Sequence, residues 1–293
     1  MKNILLFTGV LVGIFCVSCN QINPSKIQFV SHQTGMTGTM RGVDVVDKNT
    51  VWISGTHGEF CTSSDGGSTW IFGQVPGADS LDFRDVQGFS DQEALLMSAG
   101  PGEASKIFKT TDAGKTWKLC FTNPEPKGFF DGMDFQNDQN GALFSDPIDD
   151  KLNLLVTNDG GENWTRFHPE LVPLIGKGEY AFAASGTSLQ FDPTGGLWIA
   201  TGGSIARVWF TSKLGKKWTI WDTPVIQGDA AEGLFSIAPR TAIRVVAVGG
   251  NYQKMDIRGS NVIKQQRIGE VRWAVPEDAD SLPFMECVKW VNN

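Results

Sequence analysis

Short apolar runs separated by polar, glycine-rich turns recur along most of the chain. Residues 51–55 read VWISG, 94–100 ALLMSAG, 141–146 GALFSD, 197–203 LWIATGG and 243–250 IRVVAVGG. A run of mixed or alternating polarity precedes each: RGVDVVD at 41–47, FRDVQGFSD at 83–91, FFDGMDFQND at 129–138, SLQFDPTGG at 188–196 and LFSIAPR at 234–240. In four of the five units a third short run follows: EFCTS, KIFKT, LNLLVT and ARVWFTS. Runs of this length with period-two alternation, bounded by Gly, Asp and Ser, predict β-strands. Four antiparallel strands in every 40 to 50 or so residues is the unit of a β-propeller blade.

The turn that closes each unit repeats almost word for word. Residues 63–70 read SSDGGSTW, 110–117 TTDAGKTW and 157–164 TNDGGENW, so that Trp70, Trp117 and Trp164 stand 47 residues apart. Thr211 to Trp218 is a degenerate copy with Lys213 in place of the acid, and Gln265 to Trp273 a fainter one. Each residue type has a structural task. Asp65, Asp112 and Asp159 are placed to accept backbone N–H bonds within their own turns. The glycine takes a positive φ. The tryptophan opens the fourth strand and buries a large face. The phrase is the Asp-box, or BNR repeat, of sialidases and other β-propellers. Its aspartates read as structural, not catalytic.

Composition agrees with all-β structure: 34 glycines in 293 residues, against about 7% on average, with 19 Phe and 10 Trp. A net charge of −7 and no run of basic residues exclude a phosphate-backbone binder. No cofactor motif and no metal-ligand spacing occurs. His32, His57 and His168 are isolated and read as surface residues. Cys61, Cys120 and Cys287 stand singly beside apolar neighbours, which reads as core packing.

The first 19 residues read as a targeting segment: Lys2, an apolar stretch from Ile4 to Val17, then Cys19. It resembles a bacterial lipoprotein signal with Cys19 as the lipidated residue; a plain secretory peptide is the alternative. The expected location is the bacterial cell envelope. Residues 20–293 read as one propeller domain of five blades plus the first strand of a sixth, near 284–291, with Ile27 to Ser31 as a closing outer strand. A five-bladed ring with a C-terminal tail is the other arrangement.

Aligning the units places Arg41, Arg84, Asp131, Thr187 and Gly233 at equivalent starts of the innermost strands, which face the central channel. The second-to-third-strand loops open on that face and the boxes on the opposite one. Candidate ligand-binding residues on the channel face are therefore Arg41, Arg84, Asp131, Asp146, Glu179, Arg207 and Tyr252. Two arginines one blade apart suit a carboxylate or phosphate; equally, they suit salt bridges to Asp131, Asp85 or Asp146. Asp146 also reads as a turn cap. Glu179 lies in the long connection 165–186, which has the length of a binding loop.

The phrases ALFSDPIDDKLNLLVTNDGG, EYAFAASGTSLQF, WIATGGSIARVWFTS and GLFSIAPRTAIRVVAVGGNY resemble those of the photosystem II stability/assembly factor-like proteins, in a bacterial branch that carries an oxidoreductase label. The resemblance spans the mature chain and implies an exported propeller, with an assembly role as one expectation. Nothing in the sequence supports oxidoreductase chemistry. The favoured function is non-enzymatic binding of an envelope protein or glycan. The alternative is a glycan hydrolase or lyase of sialidase type, for which the chain offers only Tyr180 and Tyr252 as nucleophile and two evident arginines.

Overall fold

The expected alternation is present strand by strand in the computed structural model, which describes residues 30–268, 270–277 and 279–290. Cys19 and the residues before Val30 lie outside the described residues, as does most of the expected closing strand. The first blade is β1 (Met40–Val45), β2 (Val51–Gly55), β3 (Glu59–Ser63) and β4 (Ile71–Gln74). The second is β5 (Phe83–Gly88), β6 (Ala94–Ser98), β7 (Lys106–Thr110) and β8 (Lys118–Thr122). The third is β9 (Phe130–Phe135), β10 (Gly141–Ile148), β11 (Lys151–Thr157) and the short β12 (Thr165–Arg166). A two-residue strand β13 (Glu179–Tyr180) follows in the long connection. The fourth blade is β14 (Leu189–Phe191), β15 (Leu197–Ala200), β17 (Arg207–Thr211) and β18 (Trp218–Asp222), with β16 (Gly202–Gly203) between its second and third strands. The fifth is β19 (Glu232–Thr241), β20 (Arg244–Asn251), β21 (Val262–Ile268) and β22 (Glu270–Ala274). All pairings are antiparallel meanders, and β13 and β16 extend the fifth sheet beyond β19. The fold is a β-propeller.

The core lies between blades. Four apolar clusters join successive blades, for example Trp52 and Phe60 of the first with Phe83 and Phe108 of the second. The box tryptophans explain why the phrase repeats. Trp117 packs edge-on against Phe60 of the preceding blade, Trp164 joins the cluster of blades two and three, and Trp218 joins that of blades three and four. Each tryptophan thus binds its own blade to the one before it. Among the described residues the aromatic neighbour of Trp70 is His32, with ring centroids 6.4 Å apart.

Innermost strands are also stitched by hydrogen bonds. Asp44 Oδ2 accepts from Gly88 N (2.8 Å), Asp85 Oδ2 from Met133 N (2.8 Å) and Asp134 Oδ2 from Phe191 N (2.6 Å). Ile237 N donates to Thr187 O at 2.9 Å in the last such step. Burial pushes all three carboxyls up, Asp134 to about 7.

The boxes have the expected geometry. Asp65 Oδ1 accepts from Thr69 N (2.8 Å), Asp112 Oδ1 from Thr116 N (2.9 Å) and Asp159 Oδ1 from Asn163 N (3.0 Å). The Ser or Thr two residues earlier donates to the same oxygen and accepts from the box glycine, whose φ is +86° at Gly67, +79° at Gly114 and +82° at Gly161. The faint copy at 265–273 is different: Gln265 pairs directly with Trp273 across the β21–β22 hairpin, where a box would hold its turn.

Residues 282–290, expected as a strand, are extended but form no ladder. They lie along the fifth blade through Met285 N to Gly249 O (3.0 Å), Val288 N to Ser236 Oγ (3.0 Å) and Trp290 Nε1 to Ala238 O (2.8 Å). Cys61 is buried in the first blade, but Cys287 on this stretch is exposed and Cys120 only partly covered, so core packing holds for the first alone.

Candidate functional site

Five of the seven proposed residues border one cavity of about 560 Å³: Arg41, Arg84, Asp131, Asp146 and Tyr252. The first three occupy the channel-facing starts of β1, β5 and β9, as equivalent positions in successive blades must. Asp146 reaches it from β10, and Tyr252 from the loop after β20. The alternation of the extended connection supplies more of the wall. Tyr180, Phe182 and Ala184 border the cavity together with their backbone neighbours Ala181 and Ala183.

Glu179 and Arg207 are not at this cavity. Glu179 is 2% exposed on the opposite side of the connection from Tyr180, as strand alternation requires. It ion-pairs with Arg207 and accepts from Thr201 Oγ1 (2.6 Å), Trp209 Nε1 (2.9 Å) and Gly176 N (2.9 Å). Every lone pair is occupied within the protein. These two residues hold the connection to β16 and β17 and do not line the cavity.

The arginines are held by a residue the sequence reading missed. Asp82 Oδ1 and Oδ2 accept from Arg41 Nε (3.2 Å) and Nη2 (3.1 Å), and Oδ2 also from Arg84 Nε (2.8 Å). Although burial opposes it, those bonds hold the Asp82 carboxyl below its usual range. Arg84 Nη1 donates to Ala183 O (2.9 Å), and its guanidinium lies 6.0 Å from the Phe129 ring centre. Two guanidiniums sharing one carboxylate leave a net positive charge and several unused N–H donors. Asp131, Asp85 and Asp146, the partners considered from sequence, make no ion pair to either arginine.

Asp131 and Asp146 form a second group. Asp131 is 2% exposed, and its Oδ2 has no hydrogen-bond partner. Burial, then the nearby Asp146 charge, raises its pKa well above the usual range, against the pull of Arg84. Burial likewise pushes Asp146 to about 6. Its side chain caps no turn.

The same cavity has an aromatic wall from four separate parts of the chain. Phe182 stacks on Phe235 (3.8 Å between centroids, 5° between planes), Phe284 meets Phe235 edge-on at 4.8 Å, and Tyr252 leans on both Phe182 and Phe235 at 6.2 Å. Tyr180 Oη donates to Ala230 O at 2.6 Å. Burial raises its pKa, with Tyr252 and Asp146 adding to the effect. Among the described residues no group of three or more His, Cys, Asp or Glu is placed to hold a metal ion. His32, His57 and His168 are exposed and away from the cavity.

No family model matches the sequence. A search of curated proteins finds no match. Solved structures do resemble the chain. An ancestral GH74 enzyme is 15% identical with a TM-score of 0.53, over 80% of this chain and 32% of that one. YCF48 bound to D1 peptide is 19% identical with a TM-score of 0.43, over 86% of both chains. A K499G mutant of NanB sialidase from Streptococcus pneumoniae is 14% identical with a TM-score of 0.44, over 68% of this chain and 32% of that one. This chain thus spans about a third of the length of the GH74 enzyme and of the sialidase. These likenesses concern the fold alone.

Proposed function

We propose that the protein is a non-enzymatic binding module whose channel-face cavity takes an extended peptide segment of an envelope protein. The observation that carries this reading is the cavity's two-sided chemistry. Arg41 and Arg84, anchored by Asp82, offer preorganised donors to carboxylates and carbonyls. Phe182, Phe235, Tyr252 and Phe284 offer an apolar wall. A peptide carries both kinds of partner within a few residues of each other.

A specific observation also favours glycan hydrolysis: a carboxyl pair in which burial pushes Asp146 up to about 6 suits a general acid. Two features weigh against it. Asp131 is too enclosed to meet a substrate directly. Tyr180 has its hydroxyl committed to Ala230 and its pKa raised, the reverse of what an activated nucleophile needs.

The deciding experiment compares wild type with an Arg41→Ala/Arg84→Ala variant, by affinity capture from envelope extract and by turnover of a glycoside panel that includes sialosides. Loss of a captured protein without hydrolysis by wild type is the expected result. Glycoside turnover that the double variant loses would replace binding with catalysis. An unchanged capture profile would place the site elsewhere. The envelope location is part of the same proposal and is supported by the residues up to Cys19; a Cys19→Ala chain that still partitions with membranes would remove the lipid anchor from it.

A further inference from the structure

We propose that Asp131 and Asp146, together with Tyr180 and Tyr252, form a subsite for a protonated amine, so that the bound segment presents a lysine-type ammonium to this end of the cavity and an anionic group to Arg41 and Arg84. This rests on the cavity being the binding site and names the chemistry it selects.

The case starts from how the channel treats its other acids. Asp44, Asp85 and Asp134 are innermost-strand carboxylates, and each accepts a backbone N–H of the next blade. Their burial is offset by a structural bond. Asp131 sits at the start of β9, only 2% exposed, yet Oδ2 has no partner. Of the four innermost-strand carboxyls, Asp131 alone has a buried oxygen with no partner, and such an atom calls for an explanation; Ser188 Oγ, just before β14, is also buried and unpaired. Asp146 beside it accepts no hydrogen bond and makes no ion pair among the described residues, and it is partly open to the cavity. The nearest cation is Arg84, already committed to Asp82 and to Ala183 O. Two acids therefore share a site that lacks one positive charge. Without it both carboxyls are pushed upward, chiefly by burial.

A ligand ammonium supplies the missing charge. It would lie against Asp146 with Asp131 behind it, in a cavity that Tyr180 and Tyr252 also line, where an aromatic ring can add cation–π attraction. Tyr180 is close enough to Asp146 to feel its charge. The other charged groups lining the cavity are Arg41, Arg84 and Glu286; Asp82 pairs with the two arginines, and Asp229 lies near Tyr180. Arginines and acids lining one cavity describe a ligand with both charges, not a simple anion.

The test uses the full chain and three probes of one length: 6-aminohexanoate, hexylamine and hexanoate, titrated calorimetrically at pH 5 and pH 8. Amine binding should strengthen about tenfold or more from pH 5 to pH 8, because a proton must leave the pair before the ammonium can replace it. The released proton makes the measured heat depend on the buffer's ionisation enthalpy. An Asp131→Asn/Asp146→Asn variant should lose at least about tenfold in hexylamine binding while keeping hexanoate. If that variant does not fold, Asp146→Asn alone, at a partly exposed position, carries the same comparison. Hexylamine binding that is absent, indifferent to pH or unchanged in the variants overturns the subsite. Hexanoate binding that depends on Arg41 and Arg84 without any preference for amines would overturn it too, while leaving the cavity's role in peptide binding intact.

Discussion

At the residue scale the chain uses aspartate in opposite ways at its two faces. In the boxes, hydrogen bonds from the side chain four positions on, then from the backbone there, hold Asp65 and Asp112 below the usual carboxylate range. At Asp159 the Asn163 side chain does the same against a small burial effect. A lowered folded pKa contributes stability that is present above about pH 4 and lost as pH falls through the folded value. Asp134 has the reverse sign. Burial raises it to about 7, against about 3.9 unfolded, so its folded form holds the extra proton between those values. Its contribution is fully present at about pH 4 and declines as pH rises to about 7. Asp134→Asn keeps an acceptor for Phe191 N and removes the titration. Urea unfolding at pH 4.5, 6 and 7.5 should then show a flatter fall in stability than wild type, with a difference on the order of a few kcal/mol across the range. Asp44 and Asp85 shift the same way, so some slope remains. Identical slopes in the two proteins would mean that Asp134 is not protonated in the fold.

At the element scale the blade is stabilised by what it places between itself and its predecessor. Trp164 is 6% exposed within the cluster of blades two and three. Trp164→Ala should cost about 3–5 kcal/mol. Trp70 opens the same strand position in the first blade but, among the described residues, belongs to none of the four apolar clusters; its ring neighbour is His32, and its Nε1 donates to Gly67 O at 3.0 Å. Trp70→Ala should cost about half as much or less. Equal costs by chemical denaturation would show that the tryptophans act within their own turns and not between blades. This contrast marks what the sequence could convey. The turns were legible because Asp65 and Thr69, four positions apart, bond within one phrase. The cavity's charged rim was legible in part, because Arg41, Arg84 and Asp131 follow from counting equivalent positions. Asp82 was not, since it pairs with Arg41 across 41 positions and lies just before the repeated strand. Glu179 misled for a local reason: a two-residue strand turns alternate side chains in opposite directions, and Tyr180, not Glu179, turned toward the cavity.

At the scale of the whole molecule, the stretch 282–290 links the last blade to the site. It carries two aromatic residues with different surroundings. Trp290 does not line the cavity; it donates to Ala238 O at 2.8 Å, with the Arg240 and Arg244 guanidiniums 5.6 and 5.8 Å from its ring centre. Phe284 borders the cavity and covers Phe235, which is 3% exposed. Both anchor the stretch, but only Phe284 forms wall. Trp290→Ala should therefore lower stability by about 1–3 kcal/mol while leaving capture of the partner unchanged once the protein is folded. Phe284→Ala should lower stability by a similar amount and also weaken capture, because it removes the ring that packs edge-on against Phe235 and so opens the aromatic face of the cavity; the backbone bond from residue 284 N to Met255 O is kept. Measuring both variants well below their unfolding temperatures separates the two effects. If Trp290→Ala weakens capture as much as Phe284→Ala does, the stretch acts on the cavity by holding the fifth blade in place, and the aromatic wall is not itself the binding surface.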